Sequence, residues 1–89
     1  MLKKSLTLVN KLGLHARAAM KLVNLASQYQ SKITIKYQQN TIDAKSILNV
    51  MALGISCGKT IDIITEGGDE KESLLAIEKL INDRFGESE

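Results

Sequence analysis

Four stretches of the chain alternate apolar and polar residues, the two-residue period of a β-strand with one buried face. In the first stretch Leu2, Leu6 and Leu8 face one way, while the polar residues between them face the other. The second stretch is the clearest, because its isoleucine, threonine and tyrosine residues also favour strand conformation. The predicted strands span residues 2–9, 32–37, 41–43 and 60–66.

Three other stretches repeat apolar residues every three or four positions, which predicts helices with one buried face. The first helix covers residues 16–28, and its apolar stripe comprises Ala19, Leu22, Val23 and Ala26. A second covers residues 47–53 and follows Ser46, a favourable N-cap residue. The third begins after Asp69, which has the spacing of a capping box with Glu72. We expect residues 87–89, at the end of the chain, to fray.

The resulting order, β-α-β-β-α-β-α, predicts an α+β fold in which helices cover one face of an antiparallel sheet. A split β-α-β arrangement would place the fourth strand between the first and the second, although the pattern alone does not determine that order. Eighty-nine residues suit a single domain, residues 1–89. No apolar run approaches membrane-spanning length, and Cys57 is the only cysteine. We therefore expect a cytoplasmic location.

The net charge of +2 conceals an uneven distribution of charge. Residues 1–60 carry nine Lys or Arg and one acid, whereas residues 61–89 carry three Lys or Arg and nine acids. The basic segment indicates a negatively charged partner, or else only a solvated surface. RNA binding is therefore an alternative function of another class, although the aromatic residues are too few for the usual stacking platform. They are Tyr29, Tyr37 and Phe85.

The only histidine, His15, precedes the first predicted helix, where Ser, Thr, Asp or Asn is the usual N-cap. The first helical N–H groups, those of Ala16, Arg17 and Ala18, are unpaired at such a position, and the helix dipole adds to their attraction for anions. A neutral imidazole is a nucleophile toward phosphorus, and the Arg17 side chain can hold a phosphoryl group with two donors. The residues alone leave two interpretations, a phosphoryl-accepting histidine or a partly exposed histidine beside a helix.

Two further features have both a structural and a functional interpretation. The N-cap position explains Ser46 fully, yet phosphorylation is also stabilised at such a position. The second helix is too short to bury its whole circumference, so its apolar residues either pack in the core or form an exposed docking patch. The residues of this candidate patch are Ile47, Leu48, Met51 and, from the first helix, Met20.

Other combinations of residues give weaker indications of chemistry. Cys57 has no Cys or His partner at metal-ligand spacing, and we expect no metal and no cofactor. Residues 54–60 look like the end of a phosphate-binding P-loop, but the spacing is one residue short and a strand follows where a helix belongs. We therefore interpret Cys57 as inert and residues 54–60 as a false match.

The residues that carry a family resemblance lie in four groups along the chain. They are Leu12-Gly13-Leu14-His15-Ala16-Arg17, Ala44-Lys45-Ser46-Ile47-Leu48, Leu53-Gly54 with Gly58, and Glu66-Gly67-Gly68-Asp69-Glu70. In order and spacing they resemble the HPr family, the small phosphocarriers of the bacterial phosphoenolpyruvate:sugar phosphotransferase system. The resemblance runs nearly end to end and implies an open-faced β-sandwich, with three helices covering one face of a four-stranded antiparallel sheet.

The resemblance also implies a role for each candidate residue. His15 would accept a phosphoryl group on Nδ1 from phosphorylated Enzyme I and pass it to an EIIA-type protein, as a stoichiometric intermediate and not as an enzyme. Arg17 would steady that group, and Ser46 would be the site of an HPr kinase/phosphorylase in bacteria that have one. The surface around Ile47, Leu48 and Met51 would dock partners. We expect a monomer that neither binds nucleic acid nor inserts into a membrane.

One position departs from the pattern of many sugar-type carriers, which have proline where this chain has Ala18. In this respect the chain resembles NPr, the nitrogen-related branch, and the HPr proteins of some proteobacteria. Without proline the start of the helix is less rigidly preset, although its N–H groups remain available. A purely regulatory carrier that is not coupled to sugar transport is therefore the second interpretation.

Overall fold

The computed structural model describes residues 1–89 and contains four strands in one antiparallel sheet. The strands are β1 (Leu2–Thr7), β2 (Lys32–Tyr37), β3 (Asn40–Asp43) and β4 (Thr60–Glu66). The helices are α1 (Ala16–Ala26), α2 (Ile47–Ala52) and α3 (Glu70–Asn82), followed by a 3₁₀ turn at Arg84–Gly86. None of these helices combines the length and apolarity needed to cross a bilayer.

The strand order is β1-β4-β2-β3, so the fourth strand lies between the first and the second. Ile63 in the middle of β4 pairs with Lys4 on one side and with Ile35 on the other. The residues of β4 that face the helices are fully or almost fully buried, and they are Ile61, Ile63 and Thr65. The predicted α+β class, the open-faced sandwich and the insertion of the fourth strand are confirmed.

A single cluster of nineteen buried apolar residues fills the space between the sheet and the helices. The predicted apolar stripe of α1 is buried, together with Ala18. The first strand ends at Thr7, two residues earlier than predicted, yet Leu8 beyond it is fully buried. Burial of one such leucine or isoleucine side chain contributes about 1.5–3 kcal/mol, so the cluster is the main source of stability.

The predicted capping box of α3 is wrong, because the Asp69 side chain makes no hydrogen bond to its own helix. Its carboxylate accepts hydrogen bonds from the backbone N–H groups of Gln30 and Ser31, each at 2.9 Å, and from the Ser31 hydroxyl. The hydrogen bond from the Ser31 hydroxyl is the main reason why the pKa of Asp69 lies below its ordinary value. Asp69 therefore ties the loop after α1 to the start of α3.

Gly67 shows why this junction is tight. Its φ is +151°, and a Cβ at this position would lie 2.6 Å from the Ser31 Oγ and 2.8 Å from the Ser31 Cα. Such distances are too short for any side chain, so glycine allows Ser31 to reach the Asp69 carboxylate.

Candidate functional site

The loop before α1 is held by backbone contacts that place His15 at the start of the helix. The Leu14 N–H donates to the Ile55 carbonyl at 2.8 Å, and the Asn10 side-chain amide donates to the Gly13 carbonyl at 2.7 Å. Gly13 has φ +65°, and a Cβ there would lie 2.5 Å from the Ile55 carbonyl oxygen. Only glycine permits this approach of the two loops, and the direction of the chain into α1 depends on it.

His15 is the N-cap of α1, as the sequence indicates, with φ −77° and ψ 178°. Its side chain makes no capping hydrogen bond to the helix and is 26% exposed. The N–H groups of the first helical turn donate to no carbonyl or side chain of the protein, and they belong to Ala16, Arg17 and Ala18. Three unpaired donors and the positive end of the helix dipole therefore lie beside an accessible imidazole.

The Glu87 carboxylate forms a hydrogen bond with Nε2 of His15. Its other oxygen accepts from the Asn10 side-chain amide at 3.0 Å, and the Glu87 side chain is only 15% exposed. The hydrogen bond with His15 is the main cause, and the one from Asn10 a further cause, of a Glu87 pKa below the ordinary value of 4.5. The carboxylate is therefore ionised at neutral pH and faces the imidazole.

The end of the chain is held in place, so the expected fraying of residues 87–89 is wrong. Phe85 is 1% exposed and belongs to the core, and its carbonyl accepts from the Lys21 ammonium at 2.6 Å. Beyond it, the Lys11 N–H donates to the Glu89 carbonyl at 2.9 Å. Arg84 and Phe85 both adopt left-handed backbone angles, with φ 57° and 54°. Each such residue costs about 1–2 kcal/mol, a cost that burial of the Phe85 ring offsets.

A pocket of about 240 Å³ adjoins His15. The Arg17 side chain is exposed at this pocket and forms no ion pair, whereas the Lys11 ammonium lies 3.7 Å from a Glu89 carboxylate oxygen. The residues that line the pocket are Lys11, Leu12, His15, Arg17, Glu87, Ser88 and Glu89. Arg17 is therefore the cation at this pocket that is free to meet an incoming anion.

Ser46 is the N-cap of α2, as predicted from the sequence. Its backbone is extended, with φ −105° and ψ 107°, and its hydroxyl accepts from the Asn49 N–H at 3.5 Å. The residue is half-buried. At that length the capping hydrogen bond is weak, so the hydroxyl group is only loosely engaged by the helix.

The candidate docking patch divides into exposed residues and one that is partly buried. Leu48 is 79% exposed, Met20 48% and Met51 44%, and α1 and α2 are in contact. Ile47 is half-buried and packs against the core. The interpretation as an exposed patch therefore applies to Leu48, Met20 and Met51, whereas core packing applies to Ile47.

Sequence reasoning missed Asn10 and Glu87 as residues of this site. Asn10 is fully buried in the loop before His15, and its Oδ1 has no hydrogen-bond partner. A buried asparagine before a glycine turn is a weak local signal, and nothing near Glu87 in the sequence points to His15.

Cys57, interpreted as inert, is exposed, and no three His, Cys, Asp or Glu side chains converge as metal ligands would.

Comparisons with known proteins agree on one family. A family model described as the PTS HPr component phosphorylation site matches residues 2–83. The chain is 45% identical over 89 residues to phosphocarrier protein HPr of Cupriavidus necator, with all of both chains covered. It is 41% identical over 87 residues to phosphocarrier protein NPr of Shewanella violacea, with 98% of this chain and 96% of the relative covered.

A solved structure supports the same assignment. The crystal structure of HPr-C-His from Thermoanaerobacter tengcongensis matches with a TM-score of 0.96 at 38% sequence identity, and the match covers all of both chains. The alignments with this structure and with the Cupriavidus necator relative run over all 89 residues, and the family model covers all but the first residue and the last six. The chain therefore belongs to the HPr family of phosphocarrier proteins of the phosphotransferase system.

Proposed function

We propose that this chain is a phosphohistidine relay, in which His15 accepts a phosphoryl group from phosphorylated Enzyme I and passes it to an EIIA-type acceptor. The observation that carries the proposal is the position of His15 at an N-cap beside three unpaired backbone N–H groups. A phosphoryl group on Nδ1 would bring a charge of about −2 to this position, where unpaired N–H groups and the helix dipole stabilise it.

The chemical step needs a nucleophile and a stable place for the charge. The Nδ1 lone pair forms the bond to phosphorus while the bond from phosphorus to the donor breaks, and its electron pair remains with the donor. The Arg17 guanidinium, which is exposed and free of ion pairs, meets the oxygens of the phosphoryl group. Because the same groups stabilise the product of transfer to His15 and the reactant of transfer onward, the relay is reversible, and the protein is an intermediate and not an enzyme.

Partner docking follows from the surface beside this site. Leu48, Met51 and Met20 expose apolar side chains on two helices that are in contact. Arg17, three residues before Met20 on α1, places a free positive charge at the pocket beside His15. We propose that Enzyme I and EIIA-type proteins bind this face as acidic partners with an apolar centre, which also speeds their encounter with the chain. We propose that one domain, residues 1–89, acts in this way as a monomer.

Control through Ser46 is the regulatory part of the proposal. The Ser46 hydroxyl caps α2 only loosely, and Leu48 follows it two residues later on the exposed face. Phosphorylation by an HPr kinase/phosphorylase would add a charge of about −2 beside the docking face and repel acidic partners. This control operates in a host that has such a kinase.

A purely regulatory, nitrogen-related carrier is the second candidate function. Ala18, the third residue of α1, stands where many sugar-type carriers have proline, and this departure and the similarity to an NPr protein both favour the second candidate. RNA binding has less support, because Phe85 is buried and Tyr29 and Tyr37 pack against the core, which leaves no aromatic platform for bases.

The relay is tested with the purified chain, Enzyme I and radiolabelled phosphoenolpyruvate. We expect acid-labile, base-stable label on the wild-type chain and none on His15→Ala, since the chain has no second histidine. Label retained by His15→Ala would contradict the proposal. Transfer from the labelled chain to a sugar-type EIIA or to a nitrogen-type EIIA then distinguishes the two branches, and steeply salt-dependent RNA binding without labelling would favour the alternative class.

A further inference from the structure

Only one of the two ring nitrogens of His15 has a hydrogen-bond partner in the protein. Nε2 forms a hydrogen bond with the Glu87 carboxylate, whereas Nδ1 forms none within the protein. A neutral imidazole carries one proton, and an ionised carboxylate only accepts hydrogen bonds. The proton of the neutral ring therefore lies on Nε2 when this bond forms, and the lone pair lies on Nδ1.

We infer that Glu87 is a positioning residue for phosphoryl transfer, and that its carboxylate keeps the Nδ1 lone pair of His15 available for attack on phosphorus. The inference rests on the proposed relay function of His15. This inference gives the segment after α3 a function in the candidate site. Nothing in the local sequence distinguishes Glu87 from the other acids of the last third of the chain.

Asn10 fixes the Glu87 carboxylate in this position. The amide nitrogen of Asn10 donates to the Gly13 carbonyl at 2.7 Å and to Glu87 Oε1 at 3.0 Å. Both partners are acceptors, so the orientation of the amide is determined, and its oxygen is left without a partner inside the protein. The Asn10 side chain is fully buried, and its amide donates one hydrogen bond to the loop that carries His15 and the other to the Glu87 carboxylate.

The backbone on both sides of Glu87 is also anchored. Phe85 is buried in the core, and the Glu87 N–H donates to the Arg84 carbonyl at 2.9 Å. On the other side, the Glu89 carbonyl accepts from the Lys11 N–H. The carboxylate is therefore held by the fold and does not depend on a mobile tail to reach the ring.

The electrostatics of the transfer step favour the same arrangement. When the Nδ1 lone pair forms the bond to phosphorus and the bond to the donor breaks, the ring becomes positive while Nε2 keeps its proton. The Glu87 carboxylate faces that proton and stabilises the positive ring. In the onward step the bond from Nδ1 to phosphorus breaks and its electron pair returns to the ring. Glu87 touches neither phosphorus nor Nδ1, so it acts through His15.

The alternative is that the Glu87 carboxylate slows phosphoryl transfer, and experiment distinguishes the two effects. A carboxylate near the phosphoryl group could repel it and slow transfer, in which case removing the charge would speed phosphorylation. The distinction lies in the sign of the rate change and in the position of the ring proton.

The test uses the full chain labelled with ¹⁵N in histidine, with Glu87→Ala, Glu87→Gln and the control Glu72→Gln, which changes an exposed acid of α3 outside the pocket. Long-range ¹H–¹⁵N spectra of the neutral ring report which nitrogen is protonated. We expect the Nε2–H form alone in the wild type and in Glu72→Gln, and a mixture of the two forms in Glu87→Ala. We also expect the rate of phosphorylation by Enzyme I to fall about tenfold in Glu87→Ala, less in Glu87→Gln, and not in Glu72→Gln.

The outcomes separate this inference from the relay itself. Unchanged ring-nitrogen shifts with an unchanged rate in Glu87→Ala, or a faster rate, would overturn the role of Glu87 while the wild type still takes up phosphate on His15. A wild-type chain that takes up no phosphate on His15 would overturn the relay, and the role of Glu87 in transfer with it. Glu87→Gln keeps a neutral acceptor of similar size, so its result stands even if Glu87→Ala loosens the end of the chain.

Discussion

Nε2 of His15 and the carboxylate of Glu87 share a hydrogen bond although 72 positions separate the two residues in the chain. The bond links the start of α1 to the segment after α3, and the buried Asn10 side chain joins both. The candidate site is therefore built from residues near both ends of the chain. The consequences of this arrangement can be measured separately for rate, stability and pH dependence.

Arg17→Ala should slow phosphoryl transfer by about ten- to a hundredfold, because a charge-assisted hydrogen bond to the phosphoryl oxygens is lost. The Arg17 side chain is exposed and forms no ion pair, so the free energy of unfolding should stay within about 0.5 kcal/mol of the wild type. Stopped-flow transfer kinetics and urea unfolding measure the two effects. Lys71→Ala, which removes an exposed cation on α3, is the control, and equal rates for the two variants would refute the role of Arg17.

The bond between His15 and Glu87 should make stability fall at acidic pH. The pKa of Glu87 lies below 4.5, chiefly because of its hydrogen bond with His15, so the folded state favours the ionised carboxylate. Its contribution to stability is complete above the pKa of the unfolded chain and is lost as the pH falls through the lower pKa of the folded chain.

The acids Asp62, Asp69 and Glu70 also have lowered pKa values and share this acidic range. The contribution of Glu87 is therefore read as the difference between the wild type and Glu87→Gln in urea unfolding from pH 7 to pH 3. We expect the difference to shrink as the pH falls. We also expect the Glu87 pKa, followed by carboxyl NMR, to rise toward 4.5 in His15→Ala, and an unmoved pKa would contradict the assigned cause.

Gly13→Ala should damage both the fold and the site. The added Cβ would lie 2.5 Å from the Ile55 carbonyl oxygen at a left-handed φ, so we expect a loss of about 2–5 kcal/mol in the free energy of unfolding. Gly54→Ala is a matched control, since its φ is also positive but no atom lies within 4 Å of the added Cβ. That variant should lose only about 1–2 kcal/mol from backbone strain. Similar losses in the two variants would mean that close packing of the loops is unimportant.

The fold was predictable because its signals are local and periodic. Alternation marks all four strands, and the apolar stripe of α1 identifies its buried face. Ser46 was predictable as a cap for the same reason, because a cap acts within one turn of its own helix. His15 was identified as a candidate since it occupies a position where another residue type is usual.

The remaining features depend on contacts that the fold creates. Asp69 has the sequence of a capping residue, but packing brings the Ser31 hydroxyl and two N–H groups to its carboxylate, and these donors compete successfully with its own helix. Glu87 lies in a polar terminal segment that resembles a fraying end. Its order comes from the buried Phe85 ring and from loop contacts that no sequence period reports.

Ser46→Asp should weaken coupling to Enzyme I, because it adds negative charge beside the exposed Leu48 and Met51. We expect a several-fold lower rate of phosphorylation on His15, reduced further at low salt, where charge repulsion is less screened. Ser46→Ala is the control, and because the capping hydrogen bond is weak it should cost only about 0.5 kcal/mol of stability without slowing transfer. Equal rates for Ser46→Asp and the wild type would count against regulation at this position.

The most direct measurement is the position of the phosphoryl group on the chain after reaction with Enzyme I and phosphoenolpyruvate, read from ³¹P and ¹⁵N NMR of the histidine-labelled protein. We expect one phosphoryl group, bonded to Nδ1 of His15, with the proton of Nε2 still directed at Glu87. Phosphate on any other residue, or on Nε2, would contradict the account, because the unpaired N–H groups and the bond to Glu87 would then serve a different purpose.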